Sequence, residues 1–313
     1  MQICKQAIIN YTYTNIKESE PDWTALTSYA IGDQVRDGTY YWKCAVAIPD
    51  TNVLRPSNNL TKWGKTRPSN RYAMIDESSR SVTTNNTNTS GDPTEGIIVV
   101  FENAFYNTIA FGNLLTDQLK IEFSSDDFVT IDETIIWENP WYINPATQTN
   151  KWYYRYGTRR SADMPYAKYF AVAPRFGKIR VTIAPSTSDN GLASCGYMVA
   201  GIAEPLGLTK DDVKISFKDW SVYDEDPWGG VEVEKRQIQQ ILDITTYSDK
   251  AVIMDYIKIV RKLLGTTVLL IGDESDDSIF ENLIMLALIK KNDASLKGSA
   301  DKNLATYRFE EKL

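Results

Sequence analysis

Gly96-Ile-Ile-Val-Val-Phe101, Thr108-Ile-Ala-Phe-Gly-Asn113 and Leu119-Lys-Ile-Glu-Phe123 follow one another in the middle of the chain. Each run is short, rich in β-branched and aromatic residues, and bounded by turn-forming residues. Tyr169-Phe-Ala-Val-Ala173 and Lys178-Ile-Arg-Val-Thr-Ile183 continue the pattern. This spacing over residues 96–203 predicts an antiparallel β-sandwich or jelly roll. Between these runs, Trp137 to Tyr156 is dense in Trp, Tyr, Asn and Pro and reads as a long ordered loop. Trp137, Trp141, Tyr142 and Trp152 are its candidate partner or glycan contacts. Packing against the end of the sandwich is the alternative.

Upstream, Ile8 to Thr14 alternates like a strand that pairs either with its own domain or with a neighbouring chain. Residues 21–66 form a small aromatic β module with turn signals at Gly32-Asp33 and Asp37-Gly38. Stacked Trp and Tyr rings must supply most of the core of so short a unit. Residues 67–95 read as a linker and exposed polar loop, ending in Thr83-Thr-Asn-Asn-Thr-Asn-Thr-Ser-Gly-Asp-Pro93.

Downstream, residues 204–313 change character and predict an α+β unit with a C-terminal tail. Val213-Lys-Ile-Ser-Phe217, a run from Val231, Ile244-Thr-Thr-Tyr247 and Thr267-Val-Leu-Leu-Ile271 read as strands. Ser248-Asp249 is placed as the cap of a helix over about residues 250–264, closed by Gly265. Its apolar face is Val252, Tyr256, Ile259, Val260 and Leu263. Ile279 to Ile289 fits a strand or a short helix, and residues 292–313 a tail or a last strand. The expected fold class is thus mainly β with a C-terminal α+β unit. Its expected order is 1–66 N-terminal strand and module, 67–95 linker, 96–203 sandwich, 204–313 α+β domain.

Composition narrows the function. The 313 residues carry 34 basic and 41 acidic side chains, a net charge of −7, with no dense Lys/Arg run. Nucleic acid is therefore not the expected partner. The chain has no histidine, which removes the commonest general base and the Ser-His and Cys-His nucleophile pairs. Cys4, Cys44 and Cys195 are far apart, form no CxxC pair and read as reduced, partly buried thiols. The start lacks the pattern of a signal peptide, and no apolar stretch approaches the ~20 residues that span a bilayer. No cofactor, no membrane insertion, and synthesis and folding in a cytoplasm are expected.

Two acidic turns were weighed as sites. In Asp219-Trp-Ser-Val-Tyr-Asp224-Glu225-Asp226-Pro-Trp228-Gly-Gly, clustered oxygens suggest calcium, but the regular spacing of a calcium loop is missing. A glycosidase carboxylate pair has nothing to fix its separation there. A hairpin whose Trp220 and Trp228 pack at an interface is the preferred reading. Gly272-Asp-Glu-Ser-Asp-Asp277 reads as a solvated turn. No phosphate-binding loop is present.

The order Trp23, Tyr29, Gly32-Asp33-x-Val35, Gly38-x-x-Tyr41, Pro56, Trp63 resembles the small chitin-binding-type carbohydrate modules, which also occur near the N-termini of tail proteins of tailed bacteriophages. In that pattern an adjacent aromatic pair after the Tyr41-type strand forms the sugar platform. Here Cys44-Ala-Val-Ala47 stands in its place. The resemblance puts Trp23, Tyr29, Tyr41 and Trp63 at positions of the module core and leaves Trp42 as the candidate surface ring. Arg67-Pro-Ser-Asn-Arg-Tyr-Ala-Met-Ile-Asp76 resembles a segment that follows the module in phage tail proteins, with Ile75 where an aromatic is usual. Glu204-Pro-Leu-Gly-Leu-Thr209, Asp219-Trp-Ser221, Asp224 to Gly229 and Val233-Glu-Lys-Arg236 resemble further segments of the same family. The resemblance spans about residues 23–272 with unmatched stretches between. It implies a non-enzymatic structural protein of the virion tail, baseplate or fibre attachment. Its partners would be other tail, baseplate or fibre proteins, and it would form a homo-oligomer in a symmetric assembly. A glycan-binding receptor-recognition protein, contacting a host-surface glycan, is the second reading. A polysaccharide-degrading enzyme is the third.

Overall fold

The computed structural model describes residues 1–7, 10–50, 54–78, 80–85, 96–138, 166–186, 191–209, 213–225, 228, 231–272, 283–295 and 302–312. Strands dominate, and one α-helix lies near the C-terminus. The chain opens with β1 (Gln2–Gln6) and β2 (Tyr11–Thr14), then enters the module with β3 (Gln34–Asp37), β4 (Tyr40–Cys44) and β5 (Trp63–Pro68). After the short β6 (Thr83–Thr84) come β7 (Ile97–Phe101), β8 (Ala104–Leu114), β9 (Gln118–Ser124), β10 (Glu133–Glu138) and β11 (Tyr166–Ile183). β12 (Ser194–Cys195), β13 (Tyr197–Pro205), β14 (Leu208–Thr209) and β15 (Lys214–Asp219) lead to a ribbon of β16 (Val222–Glu225) and β17 (Val231–Glu234). β18 (Ile238–Asp249), α1 (Ile253–Leu263), β19 (Thr267–Ile271), β20 (Ile284–Ser295) and β21 (Lys302–Glu311) complete it.

The large sheet runs β10-β9-β11-β8-β13-β1-β19-β20-β21-β18-β14, all neighbours antiparallel. β11 makes the corner. Its first part, Tyr166 to Gly177, pairs with β8. Its last part, Lys178 to Ile183, pairs with β9 on one side, and Arg180 to Ile183 with β7 on the other. One long strand thus passes from one layer to the other, as strands do at sandwich corners. Gly177 sits at the passage, where a Cβ would lie 2.6 Å from the Ser124 carbonyl oxygen. The sequence pattern suggested two strands here because the irregular register between Ala171 and Arg175 interrupts the alternation.

Between the layers, Ile97, Val99, Phe101, Leu119, Ile121, Phe123, Ile179 and Val181 meet Tyr106, Ile109, Phe111, Met198 and Ala200. Alternation decides which residues take part. In β7 the buried residues are Ile97, Val99 and Phe101, at period two. Beyond the sandwich the same sheet curls, and β11 and β20 come within contact distance of each other. Cys4, Ala110, Val199, Leu269 and Leu286 fill the concave side. The Tyr197 hydroxyl donates to the Ile284 carbonyl at 3.4 Å across it.

Three features depart from the expected organisation. The N-terminal strand does not join the module. β1 lies between β13 and β19, and β2 pairs with β7. The stretch read as linker contains buried residues: Ala73, Met74 and Ile75 form a turn, and Met74 and Ile75 enter the sandwich core. β6 then pairs with β12. Last, Ser248 and Asp249 end β18, paired with Asn303 and Lys302, so the ladder claims the residues expected to cap the helix. α1 starts later, with Val252 at the N-cap and no side-chain cap.

α1 is held by its apolar stripe. Ile253 and Val260 are buried and Tyr256, Ile257 and Leu263 pack beside them on the sheet. Asp255 in the first turn and Arg261 and Lys262 in the last complement the helix dipole. Gly265, at φ +76, follows the end of the helix, as the sequence suggested. Of Ile279 to Ile289, which fits a strand or a short helix, the part from Ile284 belongs to β20, a strand held between β19 and β21.

Candidate functional site

The module is a three-stranded sheet, β3-β4-β5. Its Asp37-Gly38 turn uses Gly38 at φ +66, a conformation that glycine adopts without strain. Residues paired across the ladder share a face, and Val35 pairs with Trp42 and Cys44 with Trp63. Those four, with Ile48, are the buried cluster, and Trp23, Tyr29 and Tyr40 pack against it. Tyr29 meets Trp63 edge to face at 5.2 Å. Trp42 is therefore not a surface ring. It is 5% exposed and its indole donates to the Asp37 carbonyl at 3.3 Å. The other rings are dressed as well: Lys65 lies 3.2 Å over Tyr40 and Arg55 6.0 Å over Trp23.

Tyr41 also has a different place from the one expected. It points to the opposite face of β4, away from the module core, and is buried where the module meets the body. There Glu18 gathers several segments. Its carboxylate accepts from the Tyr41 hydroxyl at 2.5 Å, the Asn70 backbone N–H at 3.0 Å and Arg36 at 3.2 Å, and Arg71 lies 3.4 Å away. Asn70 adds a second knot. Its amide donates to the carbonyls of Lys17 and Thr84, and its side-chain oxygen accepts from the Thr84 N–H. Arg71 donates to the Ile16 carbonyl, and Tyr72 stands 4.9 Å from Tyr11. Arg67-Pro-Ser-Asn-Arg-Tyr-Ala-Met-Ile-Asp76 is thus the fastener between module and body. Its chemistry is charge-assisted hydrogen bonding with little solvent to compete.

The aromatic arm has the opposite character. β15 pairs with β18, and β16 with β17 as a separate two-stranded ribbon. Asp219 shapes the link between them, accepting from the Ser221 N–H at 2.8 Å and the Tyr223 hydroxyl at 2.7 Å. The hydrogen bonds from Ser221 and Tyr223 hold its carboxyl below the usual carboxylate range. Trp220 is 47% exposed and Trp228 92%, and Ile215, Phe217, Val222, Tyr223, Val233 and Ile238 are exposed with them. Lys218 sits 3.6 Å over the Trp220 ring. Among the described residues, no group of three or more His, Cys, Asp or Glu is placed to hold a metal.

Trp137 lies on β10, half-buried, and packs against the sandwich core. Trp141, Tyr142 and Trp152 lie outside the described residues, as does most of Gly272 to Asp277. The three thiols are all buried. Burial pushes Cys4 and Cys195 each up to about 12, and raises Cys44, so none is an activated nucleophile. The structure brings Trp23, Tyr29, Trp42 and Trp63 together in one cluster and Trp220 and Trp228 together on one arm. Sequence reasoning missed Glu18, Arg36 and Asn70. The only local signal was a Glu beside a strand-like start.

No protein-family model matches the chain, and no curated protein sequence matches it.

Proposed function

We propose that this protein is a non-enzymatic structural component of a tailed-phage virion, in the tail, baseplate or fibre attachment, that docks neighbouring proteins through its aromatic arm. One observation supports this reading above the others: β15 to β17 hold Phe217, Trp220, Tyr223 and Trp228 in solvent on a narrow ribbon. Clustered exposed aromatics are the groups that anchor protein interfaces. Asp219, Asp224 and Glu232 stand among them, while Glu234 is paired with Arg236 and Lys218 covers Trp220, so the fitting partner is an apolar groove with a rim of mixed charge. The fastened junction suits the same role, because it fixes the module as a rigid second contact surface. Glycan recognition by the module is disfavoured because the aromatic pair of the platform is absent and Trp42, the remaining candidate ring, is buried.

The test is co-sedimentation and pull-down of the purified protein with the other tail proteins of the same phage and, in parallel, with host cells. Docking to a tail protein that is lost on Trp220→Ala and Trp228→Ala is the expected result. Saturable binding to cells competed by surface polysaccharide, with no tail protein captured, would overturn it.

A further inference from the structure

A cleft of about 680 Å³ opens where the module meets the body, beside the Glu18 fastener. Its volume is in the range of about 300–1,000 Å³ that small-ligand sites occupy. Two guanidinium groups line it, Arg67 from β5 and Arg80 from the segment before β6. Arg67 donates to the Ser19 hydroxyl at 3.2 Å and stacks 5.0 Å from the Tyr41 ring. Neither arginine has a carboxylate partner among the described residues. Both side chains are exposed, and in a chain with 41 acidic side chains two cations without a carboxylate on one concave surface suit an anion.

The one carboxylate lining the cleft does not fill that place. Asp76 is engaged by its own turn, accepting from the Ser81 hydroxyl at 2.5 Å and the Ser78 N–H at 3.0 Å. Burial raises its affinity for a proton, which further weakens it as a counter-ion. The remaining lining mixes the hydroxyls of Thr66 and Ser78 with the apolar surface of Val82 and Pro68. Hydroxyls suit a ligand that itself carries many hydroxyls, and small apolar patches suit the C–H face of a ring.

We infer that this cleft binds a carboxylate-bearing, polyhydroxylated ligand, an acidic saccharide of the uronic-acid type, with Arg67 and Arg80 on the carboxylate. The arm takes no part in it, so the inference stands or falls separately from the docking role. The experiment is calorimetric titration of the full chain with a tetrasaccharide of galacturonic acid, against the neutral galactose tetrasaccharide. Saturable binding of the acidic sugar, about tenfold or more tighter than the neutral one, is expected. Arg80→Gln should weaken it about tenfold while leaving the thermal midpoint unchanged, because Arg80 is exposed. Arg67→Gln should weaken it comparably. Equal affinity for both sugars, equal competition by acetate, unchanged binding in Arg80→Gln, or no saturation up to about 10 mM would each overturn the assignment.

Discussion

The module and the arm are written in the same alphabet and fold to opposite ends. Both set Trp and Tyr between Asp and Gly turns on short antiparallel strands. In the module, Trp42 and Trp63 are 5% and 1% exposed; in the arm, Trp220 and Trp228 are 47% and 92% exposed. The difference is a second layer. The module has a third strand, the stretch around Ile48 to lie over one face, and Glu18 with Asn70 to close the other. The ribbon of β16 and β17 has two strands and pairs with no third among the described residues. Two strands alone cannot bury a face. Aromatic content therefore says little about whether a segment is core or contact surface; the number of layers decides.

That contrast is most exposed to failure at Trp63. Trp63→Ala should cost about 4 kcal/mol by loss of a buried ring in a small core, read by urea unfolding of the module. Trp228→Ala should stay within about 0.5 kcal/mol. Similar costs at the two positions would break the comparison. Next is the fastener. Glu18→Ala leaves Arg36, the Tyr41 hydroxyl and the Asn70 N–H without their acceptor and should cost about 3 kcal/mol. Limited proteolysis should then cut first near residues 66–72, and an unchanged pattern would mean that the junction holds by packing alone.

On the arm the expected effect falls on binding instead of folding. Trp220→Ala should weaken capture of the tail partner by about 2 kcal/mol, measured by equilibrium pull-down, with an unchanged unfolding midpoint. A shift of that midpoint by several degrees would place Trp220 in a core. The smallest effect belongs to the thiols. Cys4 and Cys195 keep their protons in the folded state up to about 12, whereas the ordinary value is 9.0. Their contribution to stability is complete below pH 9 and is lost as pH rises from 9 towards 12. Cys195→Ala should flatten the fall of the thermal midpoint across that window, and an unchanged slope would show that the thiol does not titrate there.

Much of the strand content was legible because alternation is local. Thr267–Ile271 was read to the residue, and Ile97–Phe101 and Gln118–Ser124 to within one or two. What could not be read required knowing a partner far away. Alternation separates Tyr41 from Trp42 by face, but not which face the body covers; Glu18 settles that from 23 residues upstream. The Ser248-Asp249 signal was a fair cap by composition. Its strand pairing with residues 302 and 303 outweighs it. The cleft was invisible for the same reason, since Arg67 and Arg80 line one concave surface only once β5 and the segment before β6 are folded against each other.

β1 has a consequence for how the molecule comes into being. Residues 2–6 occupy an interior position whose two neighbours are residues 201–205 and 269–271. During synthesis β1 must wait until residues 269–271 have been made before its second edge is covered. Until then, Ile3 and Cys4 present an open template to any nascent copy on the same message. Such long-range closure slows folding and invites exchange of the segment between chains. The seam that joins the two halves of the finished sheet is sewn only when its far side, some 265 residues along the chain, has been made.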